Sequence, residues 1–227
     1  MSSPAFSGPV VIRCSGILFD MDGILISSLA GVERSWHTWA RMRGLDPGQT
    51  LRIAHGRRAI ETVAMLRPDL DSEAELKVIE DLEAVDNEGI TVLPGVHELL
   101  ASLPQEAWTV VTSATERLAR VRLAAGGIPL PEWLVTADHV TWGKPHPEPF
   151  LTGAELLGLA PKACVVFEDS ASGVMAGRAA GCTVVATTFS HPAESLASAH
   201  YLVHDLTGVA VTRDADGMAL RFMPLAR

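Results

Sequence analysis

Short apolar runs recur along the chain, and each one ends in polar residues. The four runs cover residues 17–19, 108–111, 164–167 and 183–186. Each has the length of a strand, and none alternates between apolar and polar positions, which is typical of strands buried on both faces of a parallel sheet. Helical patterns separate the runs. The repeated order strand, helix, strand predicts an α/β fold with a doubly wound, Rossmann-like parallel sheet.

The segment between the first two runs is about ninety residues long, which is far more than one crossover helix needs. It contains the form S-x-x-E at residues 72–75, which predicts a capping box, and an apolar stripe with helical spacing. The stripe consists of Leu29, Val32, Trp36, Trp39 and Ala40. We therefore expect an all-helical insertion over residues 28–89, with a Leu-Pro-Gly return hinge at 93–95, in a core made of residues 1–27 and 90–227.

A second feature with β character lies near the C-terminal end of the sequence. Residues 209–213 and 218–222 flank the segment Asp-Ala-Asp-Gly. Asp-Gly between two such flanks favours a hairpin turn. We expect this hairpin to have a structural role.

Charge and composition limit the partners that the protein can have. The 27 acidic residues exceed the 18 basic ones, which gives a formal net charge of -9. Such a surface repels nucleic acid and anionic membranes, so an anionic substrate would have to be bound by a local feature such as a metal ion or a single lysine. Three cysteines without metal-ligand spacing indicate reduced thiols, and no apolar stretch reaches the roughly 18 residues of a membrane span. We expect a cytoplasmic protein that is a monomer or a weak dimer.

The candidate chemistry follows the ends of three of the predicted strands. The polar residues at these ends are Asp20, Asp22, Thr112, Ser113, Glu168 and Asp169. Because loops at the carboxyl ends of neighbouring parallel strands converge on one crevice, we expect these side chains to share a site. Four crowded carboxylates would repel one another unless a divalent cation lay among them, and Mg²⁺ prefers such hard oxygen ligands.

The segment Asp-Met-Asp-Gly at residues 20–23 has two simpler interpretations. A calcium loop needs a third oxygen ligand at position five and glycine at position six, but Ile24 and Leu25 stand there. The segment taken alone still fits a plain turn. Its position after a buried strand, together with the other polar clusters, favours the shared site.

As a set, these residues resemble the four motifs of the haloacid dehalogenase-like phosphohydrolases. The motifs correspond to Phe-Asp-Met-Asp-Gly at 19–23, Val-Val-Thr-Ser at 110–113, Gly-Lys-Pro at 143–145, and Val-Phe-Glu-Asp-Ser at 166–170 with Gly173. The helical insertion stands where family members with a small helical cap carry theirs. Residues 135–138 and 143–149 are similar to stretches of bacterial sugar-phosphate phosphatases, which implies a small phosphorylated metabolite as the partner. Ile24 and Ser27 depart from the family pattern, which bears on packing and the cap hinge rather than on the reaction.

The resemblance implies a role for each motif residue. Asp20 would be the nucleophile that forms an aspartyl-phosphate, and Asp22 would be the general acid and base. Lys144 would stabilise the nucleophile and the transferring phosphoryl group. Thr112 and the Ser113 backbone would donate hydrogen bonds to the phosphoryl oxygens, although either residue fits the second motif.

The resemblance also implies a set of metal and substrate ligands. Mg²⁺ would be bound by Asp20, the backbone carbonyl of Asp22, and Asp169, with Glu168 as a ligand or as an acceptor behind the ligands. In the insertion, we expect His55, Gly56 and Arg57 to face the substrate, with an exposed polar loop as the alternative interpretation.

Three functions remain open at this stage. The first is a magnesium-dependent phosphatase acting on small sugar or polyol phosphates. The others are a phosphosugar mutase of the β-phosphoglucomutase type and, less in keeping with the intact motifs, a non-catalytic family member. In relatives of β-phosphoglucomutase, a cap histidine stands twelve residues after the nucleophile, where this chain has Val32. His37 lies about 140° further round the same helix, so it is no replacement, and the phosphatase is favoured.

Overall fold

The computed structural model describes residues 8–54, 59–86, 88–214 and 217–226. The chain divides into two compact units, one formed by Met1–Ser27 with Val92–Arg227 and the other by Ser28–Thr91. The second unit begins at the residue where the predicted insertion begins and ends two residues later than predicted.

A six-stranded sheet forms the centre of the first unit. Its strands are β2 (Gly16–Phe19), β5 (Trp108–Val111), β6 (Leu134–Val135), β7 (Cys164–Glu168), β8 (Thr183–Thr187) and β9 (Tyr201–Val203). The order across the sheet is β6-β5-β2-β7-β8-β9, and every neighbouring pair is parallel. Every residue of β2, β5 and β7 is buried, as expected for strands covered on both faces. The predicted α/β fold with a doubly wound sheet is confirmed.

Eight α-helices are described in the two units. The second unit contains α1 (Leu29–Met42), α2 (Pro47–Ala54), α3 (Ala59–Leu66) and α4 (Ser72–Val85); the first contains α5 (Val96–Ser102), α6 (Glu116–Ala125), α7 (Glu148–Leu156) and α8 (Ala171–Ala179). Phe150 of α7 and Val174 of α8 pack with Leu18 and Val166 of the sheet in one apolar cluster. Among the described residues, no helix combines the length and the apolarity needed to cross a membrane.

A three-stranded antiparallel sheet belongs to the same unit. Its strands are β1 (Val10–Cys14), β10 (Ala210–Asp214) and β11 (Gly217–Phe222), in the order β1-β11-β10. Asp214 stands opposite Gly217, so the predicted hairpin is confirmed, while residues 215 and 216 of its turn lie outside the described part of the chain. The pairing of β11 with β1 was not predicted. A two-stranded sheet is formed by β3 (Ile26–Ser27) and β4 (Thr91–Val92).

The helical unit has an apolar core of its own. Trp36, Trp39 and Ile79 are buried in one cluster, and Val32 packs against it. The two tryptophan rings meet edge to face, with centroids 5.5 Å apart. Leu29 is half exposed at the first position of α1, so it does not continue the buried stripe. The tryptophans are therefore core residues of the insertion.

The capping box predicted at residues 72–75 is wrong. Helix α4 begins at Ser72, and the preceding Asp71 caps it by accepting hydrogen bonds from two backbone N–H groups of the first turn. A carboxylate at the N-cap position satisfies these groups, so the serine falls inside the helix. Glu75 instead accepts hydrogen bonds from Trp39 Nε1 at 2.7 Å and from the Arg43 guanidinium at 2.7 and 2.9 Å. These hydrogen bonds connect α4 to the C-terminal end of α1.

Candidate active site

The order of strands in the parallel sheet reverses at β2. The chain runs from β2 to β5 and β6 on one side and to β7, β8 and β9 on the other. In open α/β sheets, ligands bind at such a reversal, in the crevice outside the carboxyl ends of the strands. Asp20 directly follows β2, Thr112 follows β5, and Asp169 follows β7. The structure therefore brings residues from three adjacent strands to the predicted edge.

Three carboxylates of this edge come close together. One oxygen each of Asp20, Glu168 and Asp169 lies within 4.8 Å of the other two. All three residues are buried, with exposed fractions of 8%, 0% and 6%. These oxygens are hard donors, and three of them can be shared by a divalent cation.

Lys144 is buried between two of these carboxylates. Its Nζ lies 2.6 Å from Asp20 Oδ1 and 2.7 Å from Glu168 Oε1, and it donates a third hydrogen bond to the backbone oxygen of Val111 at 3.0 Å. The side chain is 5% exposed. Lys144 is therefore a buried lysine and not a solvated surface lysine. If the three carboxylates are ionised, its single positive charge leaves a net charge of two negative units in the cluster. That excess matches a divalent cation.

Glu168 is fixed by its own loop. Its Oε2 accepts hydrogen bonds from the backbone N–H groups of Asp169 and Ser170, both at 2.8 Å, and from the Ser170 hydroxyl at 3.0 Å. A Cβ atom at Gly173 would lie 1.6 Å from Glu168 Oε1, so only glycine permits this close approach. Because both oxygens already accept hydrogen bonds, Glu168 is well suited to orient Lys144.

Asp169 is held from two directions. The Ser190 hydroxyl, in the loop after β8, donates a hydrogen bond to Asp169 Oδ2, and Ser190 Oγ lies 2.7 Å from His191 Nδ1. On the other side, Gly23 has a φ of 83°, and a Cβ atom there would lie 1.8 Å from the same carboxylate oxygen. The turn after β2 and the loop after β8 thus orient this carboxylate together.

Burial is the main cause of the raised pKa values of Asp20 and Asp169. It raises the pKa of Asp20 well above its ordinary value, because the attraction of Lys144 only partly offsets burial and the neighbouring carboxylates. Burial and the charge of Glu168 raise the pKa of Asp169 to about 7. Burial alone would lower the pKa of Lys144, but Asp20 and Glu168 raise it above its ordinary value. The lysine stays charged, and Asp20 and Asp169 need further positive charge to be ionised together.

Asp22 lies outside this cluster. Its Oδ2 accepts a hydrogen bond from Arg122 Nη1 of α6 at 2.8 Å. Among the described residues, the group of closely spaced carboxylates contains three acids and does not include Asp22. The expectation that four carboxylates crowd around one point is therefore too broad. The backbone carbonyl of Asp22 stays a predicted metal ligand.

Thr112 and Ser113 differ in their surroundings. Thr112 is buried, and its Oγ1 accepts a hydrogen bond from the backbone N–H of Ala114 at 3.1 Å, which uses a lone pair and not the hydroxyl hydrogen. Ser113 is exposed. Both roles stay predictions, as do those of His55, Gly56 and Arg57, which lie outside the described residues.

Sequence reasoning missed two residues of the site. In the sequence, Arg122 lies among Leu118, Val121 and Ala125, which have helical spacing, and a charge among apolar positions was a usable signal. Ser190 follows β8, whose carboxyl end lies at the same edge of the sheet as those of β2 and β7. The expectation that polar residues after strand ends share one site could therefore have been extended to Ser190.

Comparison with known proteins gives the same assignment as the motifs. Hexitol phosphatase A of Escherichia coli (strain K12) is 43% identical over 211 residues, which are 91% of this chain and 98% of that protein. Glycerol-1-phosphate phosphohydrolase 2 of Saccharomyces cerevisiae is 33% identical over 195 residues, 80% of this chain and 78% of that protein.

One solved structure shows the same fold, and one family model shows the family. The crystal structure of β-phosphoglucomutase from Clostridium difficile has a TM-score of 0.70 at 22% identity, covers 85% of this chain and 92% of its own, and shows the same fold. The family model described as haloacid dehalogenase-like hydrolase matches residues 17–187, from the first strand of the parallel sheet to the end of β8. This chain belongs to the haloacid dehalogenase-like hydrolases.

Proposed function

We propose that this protein is a magnesium-dependent phosphatase that hydrolyses small sugar or polyol phosphates through an aspartyl-phosphate on Asp20. The observation that carries the proposal is the Asp20 carboxylate, buried at the reversal point of the sheet with the Lys144 ammonium 2.6 Å away. Relatives named as phosphatases of hexitol and glycerol phosphates support this substrate class.

In the first step, an Asp20 oxygen attacks phosphorus as the bond from phosphorus to the sugar oxygen breaks. Lys144 holds Asp20 Oδ1, so the carboxylate is oriented before the substrate arrives. The same ammonium can stabilise the negative charge on the phosphoryl oxygens. Asp22 gives its proton to the departing sugar oxygen.

In the second step, water attacks phosphorus and the bond between Asp20 and phosphorus breaks. Asp22, now a carboxylate, accepts the proton from that water. The products are inorganic phosphate and the free sugar or polyol, and both aspartates return to their starting state.

The cluster of acids fits a magnesium ion in number, donor type and charge. Asp20, Asp169 and the backbone carbonyl of Asp22 would hold it, while Glu168 orients Lys144. When bound, Mg²⁺ supplies positive charge that lets the phosphate dianion approach a carboxylate. The chain provides one buried ammonium beside three buried carboxylates, which by itself does not balance them.

Metal removal is expected to abolish turnover. Excess chelator should lower the release of phosphate at least about 10²-fold, and Mg²⁺ should restore it, because the carboxylates otherwise repel the substrate. Ca²⁺ should substitute poorly, since its larger and looser coordination shell misaligns the attack. Full turnover in excess chelator would contradict this proposal.

A binding measurement separates the metal site from activity. At a Mg²⁺ concentration one hundred times its Kd, the free energy of unfolding should rise by about 2.7 kcal/mol. Asp169→Asn should weaken this stabilisation, whereas Asp214→Asn, an exposed partner of Arg13 in the antiparallel sheet, should leave it unchanged. Equal stabilisation of both variants would place the metal elsewhere.

The mutase is the alternative that uses the same intermediate. A mutase must protect the aspartyl-phosphate from water until a second sugar hydroxyl arrives. Val32, at the position of the cap histidine in relatives of β-phosphoglucomutase, packs against the apolar core of the helical unit and cannot form a hydrogen bond through its side chain. This favours the phosphatase.

The phosphatase and the mutase can be distinguished by measuring phosphate release and sugar isomerisation in the same reaction. With β-glucose 1-phosphate as the probe, we expect free phosphate at the same rate with and without glucose 1,6-bisphosphate. Fast formation of glucose 6-phosphate with little free phosphate would establish the mutase instead. A parallel panel of hexitol, glycerol and hexose phosphates would then identify the preferred substrate by its kcat/KM.

A further inference from the structure

Arg122 presents a charge on a buried helix face. It lies in the last turn of α6 beside the buried residues Leu118 and Leu123, and it is 6% exposed. A guanidinium cannot lose its charge in a protein, and burying it costs free energy unless an anion lies beside it. Its position therefore depends on a carboxylate partner.

The partner is the carboxylate of Asp22. Arg122 Nη1 lies 2.8 Å from Asp22 Oδ2, although the two residues are a hundred positions apart in the sequence. The turn that carries Asp22 is tightly wound: Gly23 donates a backbone hydrogen bond to Ile26 at 2.7 Å, and Ile26 donates one to Met21 at 3.1 Å. The backbone fixes where the Asp22 side chain starts, and Arg122 fixes where its carboxylate lies.

The charged side chains of the site form two groups of contacts. Asp20, Glu168 and Asp169 share Lys144, whereas Asp22 is paired with Arg122. The Asp22 side chain is about one third exposed, while that of Arg122 is 8% exposed. The cation is thus buried behind the carboxylate, which stays open to a substrate.

We propose that Arg122 is a positioning residue for the acid–base step, in which it holds the Asp22 carboxylate beside the departing oxygen and outside the metal-binding cluster. This inference rests on the proposed function. Asp22 takes up a proton when the substrate binds; as the bond from phosphorus to the sugar oxygen breaks, that proton moves to the departing oxygen and the ion pair with Arg122 forms again. When that carboxylate takes a proton from the attacking water, Arg122 cannot compete for it, because arginine does not exchange its proton in this range of pH.

A double-mutant cycle tests the inference with sorbitol 6-phosphate and Mg²⁺. Arg122→Met should lower kcat about 10²-fold and change KM less than about threefold, since a positioned acid contributes to the transition state. In the Asp22→Asn background, the same change should cost less than about twofold, because its partner is already lost. Arg122→Lys keeps the charge but not the planar guanidinium, so its kcat should fall between those of the wild type and the methionine variant.

The leaving group gives an independent readout. Nitrophenolate departs without a proton, so the first-turnover release of p-nitrophenolate from p-nitrophenyl phosphate should stay within about threefold of wild type in Arg122→Met. An equal loss on both substrates would overturn the inference, because a general loss of packing acts on both. Arg120→Met on the same helix, whose partner Glu116 is exposed, serves as the matched control and should behave as wild type.

The outcomes separate the inference from the proposed function. If Arg122→Met keeps the wild-type kcat while Asp22→Asn is inactive, the role of Arg122 is wrong but the proposed function stands. The same holds if the losses of kcat in the two single variants add fully in the double variant. An active Asp22→Asn removes the acid–base role itself, and the inference with it. If Arg122→Met does not fold, the same cycle with Arg122→Lys decides, because that variant keeps the buried charge.

Discussion

Asp20→Asn is expected to lower turnover at least about 10³-fold, which corresponds to roughly 4 kcal/mol of lost transition-state stabilisation. An amide cannot replace a carboxylate that attacks phosphorus. The free energy of unfolding should stay unchanged or rise, because the variant removes one of three closely spaced acids while Lys144 keeps Glu168 as its partner. A loss of turnover without a loss of stability marks a catalytic group rather than a structural one.

The measurement is steady-state phosphate release beside thermal unfolding of the same preparation. Asp214→Asn is the control, since its carboxylate pairs with Arg13 and is half exposed. It should change neither quantity appreciably, because exposed ion pairs contribute little. Turnover near the wild-type level in Asp20→Asn, free of contaminating wild type, would contradict the assignment of the nucleophile.

Lys144→Met is expected to reduce both activity and stability. In chelator, the loss of the only cation bridging Asp20 and Glu168 among the described residues should cost about 3–5 kcal/mol of unfolding free energy, the range for breaking a buried ion pair. Turnover with Mg²⁺ should fall at least about 10²-fold, because the nucleophile loses its orientation and the phosphoryl group loses a donor.

Chemical denaturation with and without Mg²⁺ checks this expectation. Added Mg²⁺ should recover part of the lost stability in Lys144→Met, since a bound cation also compensates the carboxylates. Lys162→Met, at an exposed lysine before β7, should shift the unfolding free energy by less than about 0.5 kcal/mol. A Lys144→Met protein as stable as wild type in chelator would show that the buried pairs contribute nothing net.

The central strands were predictable because burial on both faces leaves a continuous apolar run in the sequence. The same rule missed β6 and β9, since two and three residues are too few to form a recognisable run. It also missed β1, whose burial alternates along the strand and whose partner β11 is remote in sequence. In this protein, a strand could be predicted from the sequence when it was at least four residues long and buried on both faces.

The edge where the site lies was predictable for the same reason, because strand ends place Asp20, Thr112 and Asp169 together. The pairing of charges within it was not. Which carboxylate meets Lys144 and which meets Arg122 depends on how α6 and the loop before α7 pack on the sheet. These contacts join residues that are 100 and 124 positions apart, and nothing local in the sequence encodes them.

Strand β1 is synthesised long before β11, the strand with which it pairs. Val10 lies opposite Phe222, so β1 leaves the ribosome about two hundred residues before the strand that will cover it. Throughout that interval the backbone N–H and C=O groups of β1 that will pair with β11 can pair with another chain instead. A nascent chain that stops before β11 is therefore expected to aggregate more readily than the full chain.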